Sequence, residues 1–233
     1  MARVAVTSFE VDARRTAGYR LARLVFTAIV GAWFRPIVRG REHVPASGPV
    51  IIAPVHRSFA DFAFTAFVTR RKLFFMAKDD LWKSRMLGKL LLTLGAFPVH
   101  RQSADREALR RAESVLAHGQ VLVLFPEGAR ASGPELAELH EGAAFLAART
   151  QSCIVPVGIG GSDVAMPKGK AIPRPMRIPV VVGEPIPPPA RAEGGRVPRS
   201  TIRATTASVR TGIQQAYDAA CEESERRLRG EEE

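Results

Sequence analysis

Apolar residues recur along this chain in two rhythms, and the switches between them outline its elements. Leu21, Leu24, Val25, Ala28, Ile29, Ala32 and Trp33 fall at helical spacing and give a helix over residues 12–38 one apolar face. Continuous apolar runs then predict buried strands at 50–54, 73–77, 96–99, 121–125 and 154–159, with a further strand near 177–183. Helical spacing returns at 58–69, 79–93, 103–118 and 135–150, and a last helix covers about 200–228. Turn chemistry separates the pieces: Val44-Pro-Ala-Ser-Gly-Pro49 before the first buried strand, Gly119 after the helix begun by Ser103, and prolines between 185 and 189.

Strands that alternate with helices, and that are apolar throughout, predict an α/β fold. The expectation is a single domain whose mostly parallel central sheet is flanked by helices, with an amphipathic basic helix at the N-terminus. Three stretches are expected: an amphipathic segment at 1–40, a core at 41–184, and a Pro-rich linker with a C-terminal helix at 185–233, packing on or beside that core. Sites in such sheets gather at the carboxyl ends of the strands. His56, Arg101 and Glu127 each follow a predicted strand within a few residues, which predicts one shared site.

Composition narrows the class. The 233 residues are 46% hydrophobic, enough for one medium-sized domain with a core. The net charge of +11 calls for anionic partners: phosphate esters, acidic lipid surfaces or nucleic acid. An aromatic content of 7% is thin for base stacking, and no zinc-finger spacing or Arg/Lys-rich arm is present, so nucleic acid is not expected. Up to residue 41 there are eight Arg against Glu10 and Asp12, an excess that suits a helix lying in a membrane interface plane; packing of its apolar stripe on the core is the competing outcome. No apolar run approaches the ~20 residues needed to span a bilayer. Cys153 and Cys221 form no C-x-x-C pair and no cleavable signal peptide is visible, so a reducing, cytoplasmic setting is expected.

Four short blocks carry the candidate chemistry. In Val55-His-Arg-Ser-Phe-Ala-Asp61, histidine and carboxylate lie five residues apart. On one helix they would point about 140° apart. They meet only if His56 sits in the loop before a helix and Asp61 folds back from its first turn, where the carboxylate could fix the imidazole tautomer and leave Nε2 to take a hydroxyl proton. A capping box from Ser58 to Asp61, with His56 idle, is the alternative. Arg101 closes Gly95-Ala-Phe-Pro-Val-His-Arg101 at a strand end, where it could hold a phosphate. Leu124-Phe-Pro-Glu-Gly-Ala-Arg130 presents Glu127 from a tight turn near Arg130, either to accept from a substrate hydroxyl or to orient an arginine. Val155-Pro-Val157 reads as structural. Lys78 and His100 are lesser candidates for anion contact, and His43, His118 and His140 have no partner at useful spacing.

In order and spacing these blocks resemble the glycerolipid acyltransferases of the 1-acylglycerol-3-phosphate O-acyltransferase (PlsC-like) family, marked by H-x4-D, G-x-F-x-x-x-R, F-P-E-G and a V-P-V block. The resemblance runs from about residue 35 to 183 and includes the lead-in Arg39-Gly-Arg-Glu-His-Val-Pro-Ala-Ser-Gly-Pro49. It implies that His56 is the general base and Asp61 its orienting partner. It implies an acceptor site of Arg101, Glu127 and Arg130 with the arginines on the phosphate, set by Phe125, Pro126 and Gly128, with Gly95 and Phe97 shaping the pocket. The co-substrate would be acyl-CoA or acyl-acyl carrier protein. No metal, cofactor or covalent acyl-enzyme is implied. The chain departs from the pattern at Val55, Ala129 and Ala131, where the family usually carries Asn, Thr and Ser.

The resulting expectation is an enzyme that acylates the free hydroxyl of 1-acyl-glycerol-3-phosphate to make phosphatidate, held peripherally or monotopically on the cytoplasmic face of an anionic membrane, with residues 81–94 helping to shape the acyl slot. Another lysophospholipid, glycerol 3-phosphate or a glycolipid alcohol is the alternative acceptor. An inactive lipid-binding homologue is the alternative from a different class.

Overall fold

The computed structural model describes residues 16–99, 106–167, 169–170, 172–191 and 197–230, with the side chains of 78 and 87 excepted. Seven strands form one sheet in the order β1-β7-β6-β2-β5-β3-β4. They are β1 (Ile37–Arg39), β2 (Val50–Pro54), β3 (Leu73–Lys78), β4 (Ala96–Val99), β5 (Val121–Val123), β6 (Cys153–Ile159) and β7 (Pro179–Val182). Every pairing is parallel except β6 with β7. This is the mostly parallel α/β sheet expected from the apolar runs. β2 is central and wholly buried, with Ile51 opposite both Leu122 of β5 and Ile154 of β6.

The helices are α1 (Ala17–Phe34), α2 (Asp61–Thr65), α3 (Arg85–Thr93), α4 (Arg106–Ala117), α5 (Gly142–Thr150), the single turn α6 (Ser162–Ala165) and the long α7 (Arg199–Leu228). Helix α1 stops four residues short of its expected end. Arg35 turns left-handed (φ 41°) and Pro36 has no N–H to continue the ladder, so the next residues become β1 beside β7. The expected 58–69 helix keeps only α2 as a regular helix, the 79–93 helix splits into a 3-10 turn (Asp79–Lys83) and α3, and the 135–150 helix begins only at Gly142. The start expected for α4 at Ser103 lies outside the described residues.

Helix α7 lies flush on β6. A Cβ on Gly158 would sit 2.1 Å from the Ala216 carbonyl, and one on Gly160 would sit 2.2 Å from that of Ala220, so the two glycines are what let the helix backbone reach the sheet. Val209, Ile213, Ala216, Tyr217 and Ala220 form the buried face of this helix. The proline-rich stretch adds a bridge between Ile186 and Ile154.

The apolar face anticipated on α1 turns outward. Leu21, Leu24 and Ile29 are each more than 60% exposed, while Tyr19, Val30 and Phe34 do the packing. Arg23, for all its charge, points inward and donates to the carbonyls of Ala66, Thr69 and Arg71. Among the described residues no helix is long and apolar enough to cross a membrane.

Candidate active site

Parallel neighbours β2 and β5 end side by side, and the loops leaving them carry the first and third sequence blocks to one place. His56 lies in the loop between β2 and α2, and Asp61 is the first residue of α2. The Asp61 carboxylate is fully buried. Its Oδ2 accepts from His56 Nδ1 at 3.0 Å, from the Arg57 amide at 2.6 Å and from the Ser58 amide at 2.7 Å. The same oxygen thus does two jobs that the sequence left as alternatives: it caps the turn and it orients the imidazole. Ser58 Oγ is otherwise engaged, donating to the Met166 carbonyl.

With Nδ1–H donated to Asp61, Nε2 is the ring nitrogen left as an acceptor. The ring packs on Phe125, centroid to centroid 4.2 Å, and borders a cavity of about 300 Å³. Phe125 and the exposed Arg130 stand beside His56 at one end of the cavity, and Tyr19, Leu73 and Leu94 line the other. Phe26 from α1, Phe62 from α2, Phe75 from β3 and Leu81 and Leu91 from the following segment complete an apolar wall. The slot therefore runs from the carboxyl ends of the strands back along one sheet face, roofed by the side of α1 that does not face solvent.

Glu127 differs from expectation. It is buried and lines no part of the cavity. Its Oε1 accepts from the His56 amide at 2.8 Å, and its Oε2 accepts from Arg57 Nη1 at 2.8 Å and from the Ala137 amide at 3.1 Å. It orients an arginine, but that arginine is Arg57, not Arg130, and a substrate hydroxyl has no access to its carboxylate. Burial works against the charge on Arg57, but the hydrogen bond and charge of Glu127 outweigh it and hold the guanidinium above its ordinary pKa. Arg57 is the site residue that sequence spacing missed. It sits inside H-x4-D, but its partner is 70 residues away, and no local pattern marks it.

Gly95 stands at the amino end of β4 between the cavity-lining Leu94 and Ala96, where its φ of 87° and a Cβ only 2.3 Å from the Leu73 carbonyl demand glycine for a tight turn. Phe97 is fully buried, because strand alternation gives Ala96 to the cavity and turns Phe97 away from it. Gly128 holds the turn after Pro126 with φ 68°, and a Cβ there would meet the His140 ring at 2.8 Å. His43 has a partner after all, the Val182 carbonyl at 2.9 Å and Glu184 at 3.1 Å, and His118 reaches the Ser114 carbonyl. Arg101 and His100 lie outside the described residues, as does the side chain of Lys78.

The fold and the paired His56 and Asp61 at the strand ends define an α/β protein equipped for base catalysis. Against known proteins, the family model described as Acyltransferase matches residues 35–160, just over half of the chain, and the chain belongs to that family. A 1-acyl-sn-glycerol-3-phosphate acyltransferase of Chlamydomonas reinhardtii is 27% identical over 77% of this chain and 55% of its own length. The protein of that name from Bacillus subtilis is 26% identical over 64% of this chain and 72% of its own length. The chain thus spans about half the length of the algal relative. Among solved structures, the 1-acyl-sn-glycerophosphate acyltransferase PlsC of Thermotoga maritima superposes with a TM-score of 0.68 at 22% identity, over 84% of this chain and 78% of that one, and shares its fold.

Proposed function

We propose that this chain is a 1-acylglycerol-3-phosphate O-acyltransferase in which His56 is the general base. The observation that carries the reading is the 3.0 Å bond from His56 Nδ1 to the buried Asp61, beside an apolar slot of about 300 Å³. Nε2 takes the proton of the acceptor hydroxyl, the oxygen forms an ester bond to the thioester carbonyl, the carbon–sulfur bond breaks, and the imidazolium returns its proton to the thiolate. The slot takes an acyl chain, and the stretch from Leu81 to Leu94 supplies part of its wall. Arg130 at the mouth binds the acceptor phosphate together with Arg101. The donor is a thioester of coenzyme A or of acyl carrier protein.

The catalytic core is residues 41–184, with α1 as the lipid-facing segment and α7 as a support. We infer that the protein binds peripherally to an anionic, cytoplasm-facing leaflet, a reading supported by the outward side chains of Leu21, Leu24 and Ile29 and by the surplus of arginine. Ala129 and Ala131 leave the F-P-E-G loop short of hydroxyls, and the Ala131 amide is spent on the His56 carbonyl at 3.0 Å, so the acceptor is gripped mainly through its phosphate.

Thiol release from several acyl thioesters, with lysophosphatidate and a panel of other alcohols as acceptors, tests the assignment. The wild-type chain is expected to prefer lysophosphatidate, and His56→Ala to lose transfer while keeping its circular dichroism spectrum. Full activity in folded His56→Ala would end it.

A further inference from the structure

His56 is held by its backbone as well as by its ring. Its amide donates to Glu127 and its carbonyl accepts from Ala131, at 2.8 and 3.0 Å. Glu127 is fixed in turn by Arg57 and by the Ala137 amide. What fixes those two is α7. The Arg57 guanidinium lies over the Tyr217 ring at 4.9 Å, and its Nη2 donates to the Glu135 carbonyl at 2.9 Å. The stretch that supplies both Glu135 and Ala137 is irregular because α7 occupies its backbone groups. Arg210 donates to the carbonyls of Ala137 and Leu136 at 2.7 and 2.9 Å. Gln214 accepts from the Leu136 amide and donates to the Pro134 carbonyl, both at 3.0 Å. Arg210, Gln214 and Tyr217 recur at i, i+4 and i+7, one face of the helix, and none of them lines the cavity.

We propose that this face of α7 is a positioning element for His56, acting through the buried Arg57–Glu127 pair. The claim rests on His56 being the general base. An ion pair with both side chains almost wholly removed from water contributes little net stability compared with apolar packing, but it is highly directional. It reaches the cavity through the backbone of His56, and the Arg57 amide also donates to the Asp61 oxygen that holds the imidazole. Small misplacements of a catalytic group cost rate far more than they cost binding.

The test measures kcat and KM for both substrates, per folded molecule, in Tyr217→Leu, Tyr217→Phe, Arg57→Lys and Gln214→Ala. The Nδ1–H resonance of His56 is followed in parallel on ¹⁵N-histidine protein, assigned with His56→Ala. Tyr217→Leu and Arg57→Lys are expected to lower kcat about tenfold or more, to leave both KM values within about twofold, and to shift or broaden the His56 resonance. Tyr217→Phe keeps the ring over Arg57 and removes only the hydroxyl beside it, so it is expected to lose less kcat than Tyr217→Leu. Gln214 is only half-buried, so Gln214→Ala carries the test if the core variants unfold, with a smaller loss of the same kind. Wild-type kcat and an unchanged resonance in the folded variants, or a loss explained wholly by KM, would overturn the proposal. A wild-type chain that acylates no lysophospholipid would remove the enzymatic reading, and the resonance would still decide whether α7 orders His56.

Discussion

At the scale of single residues, one carboxylate oxygen carries three hydrogen bonds, and the consequence is an asymmetry between substitutions. Asp61→Asn keeps the volume but puts an amide beside donors. The imidazole loses the anion that stabilises its protonated form, so kcat is expected to fall ~10²–10⁴-fold, as measured in the thioester assay. Asp61→Ala additionally strands two backbone amides, so urea unfolding should show a further loss of about 1–3 kcal/mol. Gly128→Ala should cost about 1–2 kcal/mol, since it forces a side chain into a left-handed turn against His140. The His56–Asp61 contact was legible in the sequence because loop and helix geometry allowed it in only one way. Arg57 and Glu127 as partners were not, because their pairing is set by the adjacency of β2 and β5, a property of the sheet order and not of either segment.

Elements differ in how openly they announce themselves. The strands were readable from unbroken apolar runs, since a strand buried on both faces tolerates little else. The stretch 135–141 was misread because Leu136 and Leu139 are buried and spaced like helix positions. Its backbone is instead claimed by side chains from Arg57, Arg210, Gln214 and Glu127. For α1 the periodicity was right and left open which way the stripe faced. Its outward direction yields a test: Leu24→Glu and Ile29→Glu should leave stability within about 0.5 kcal/mol while weakening sedimentation with anionic vesicles. A large loss of melting temperature would mean that the stripe packs on protein.

For the molecule as a whole, charge and burial give two further expectations. Vesicle binding driven by a net charge of +11 should decline steeply with added salt. Burial pushes the thiols of Cys153 and Cys221 and the Tyr217 phenol upward. Their folded pKa values stand above the unfolded ones, so the contribution of the thiols is complete below the ordinary thiol range and is lost as pH rises above about 8.5, and that of the phenol is lost only above about 10. Melting temperatures between pH 7 and 10 should fall, and fall less in Cys153→Ala/Cys221→Ala.

The sheet order also governs how the protein comes into being. β2 is made before both strands that flank it, β5 and β6, and α7 follows every strand of the sheet. On the ribosome the loop that carries His56 must wait, with bare strand edges on either side, until β5 and β6 have emerged. A nascent chain arrested before residue 153 would offer β2 to solvent along one edge, and such a chain is expected to aggregate more readily than one in which β6 has closed that edge.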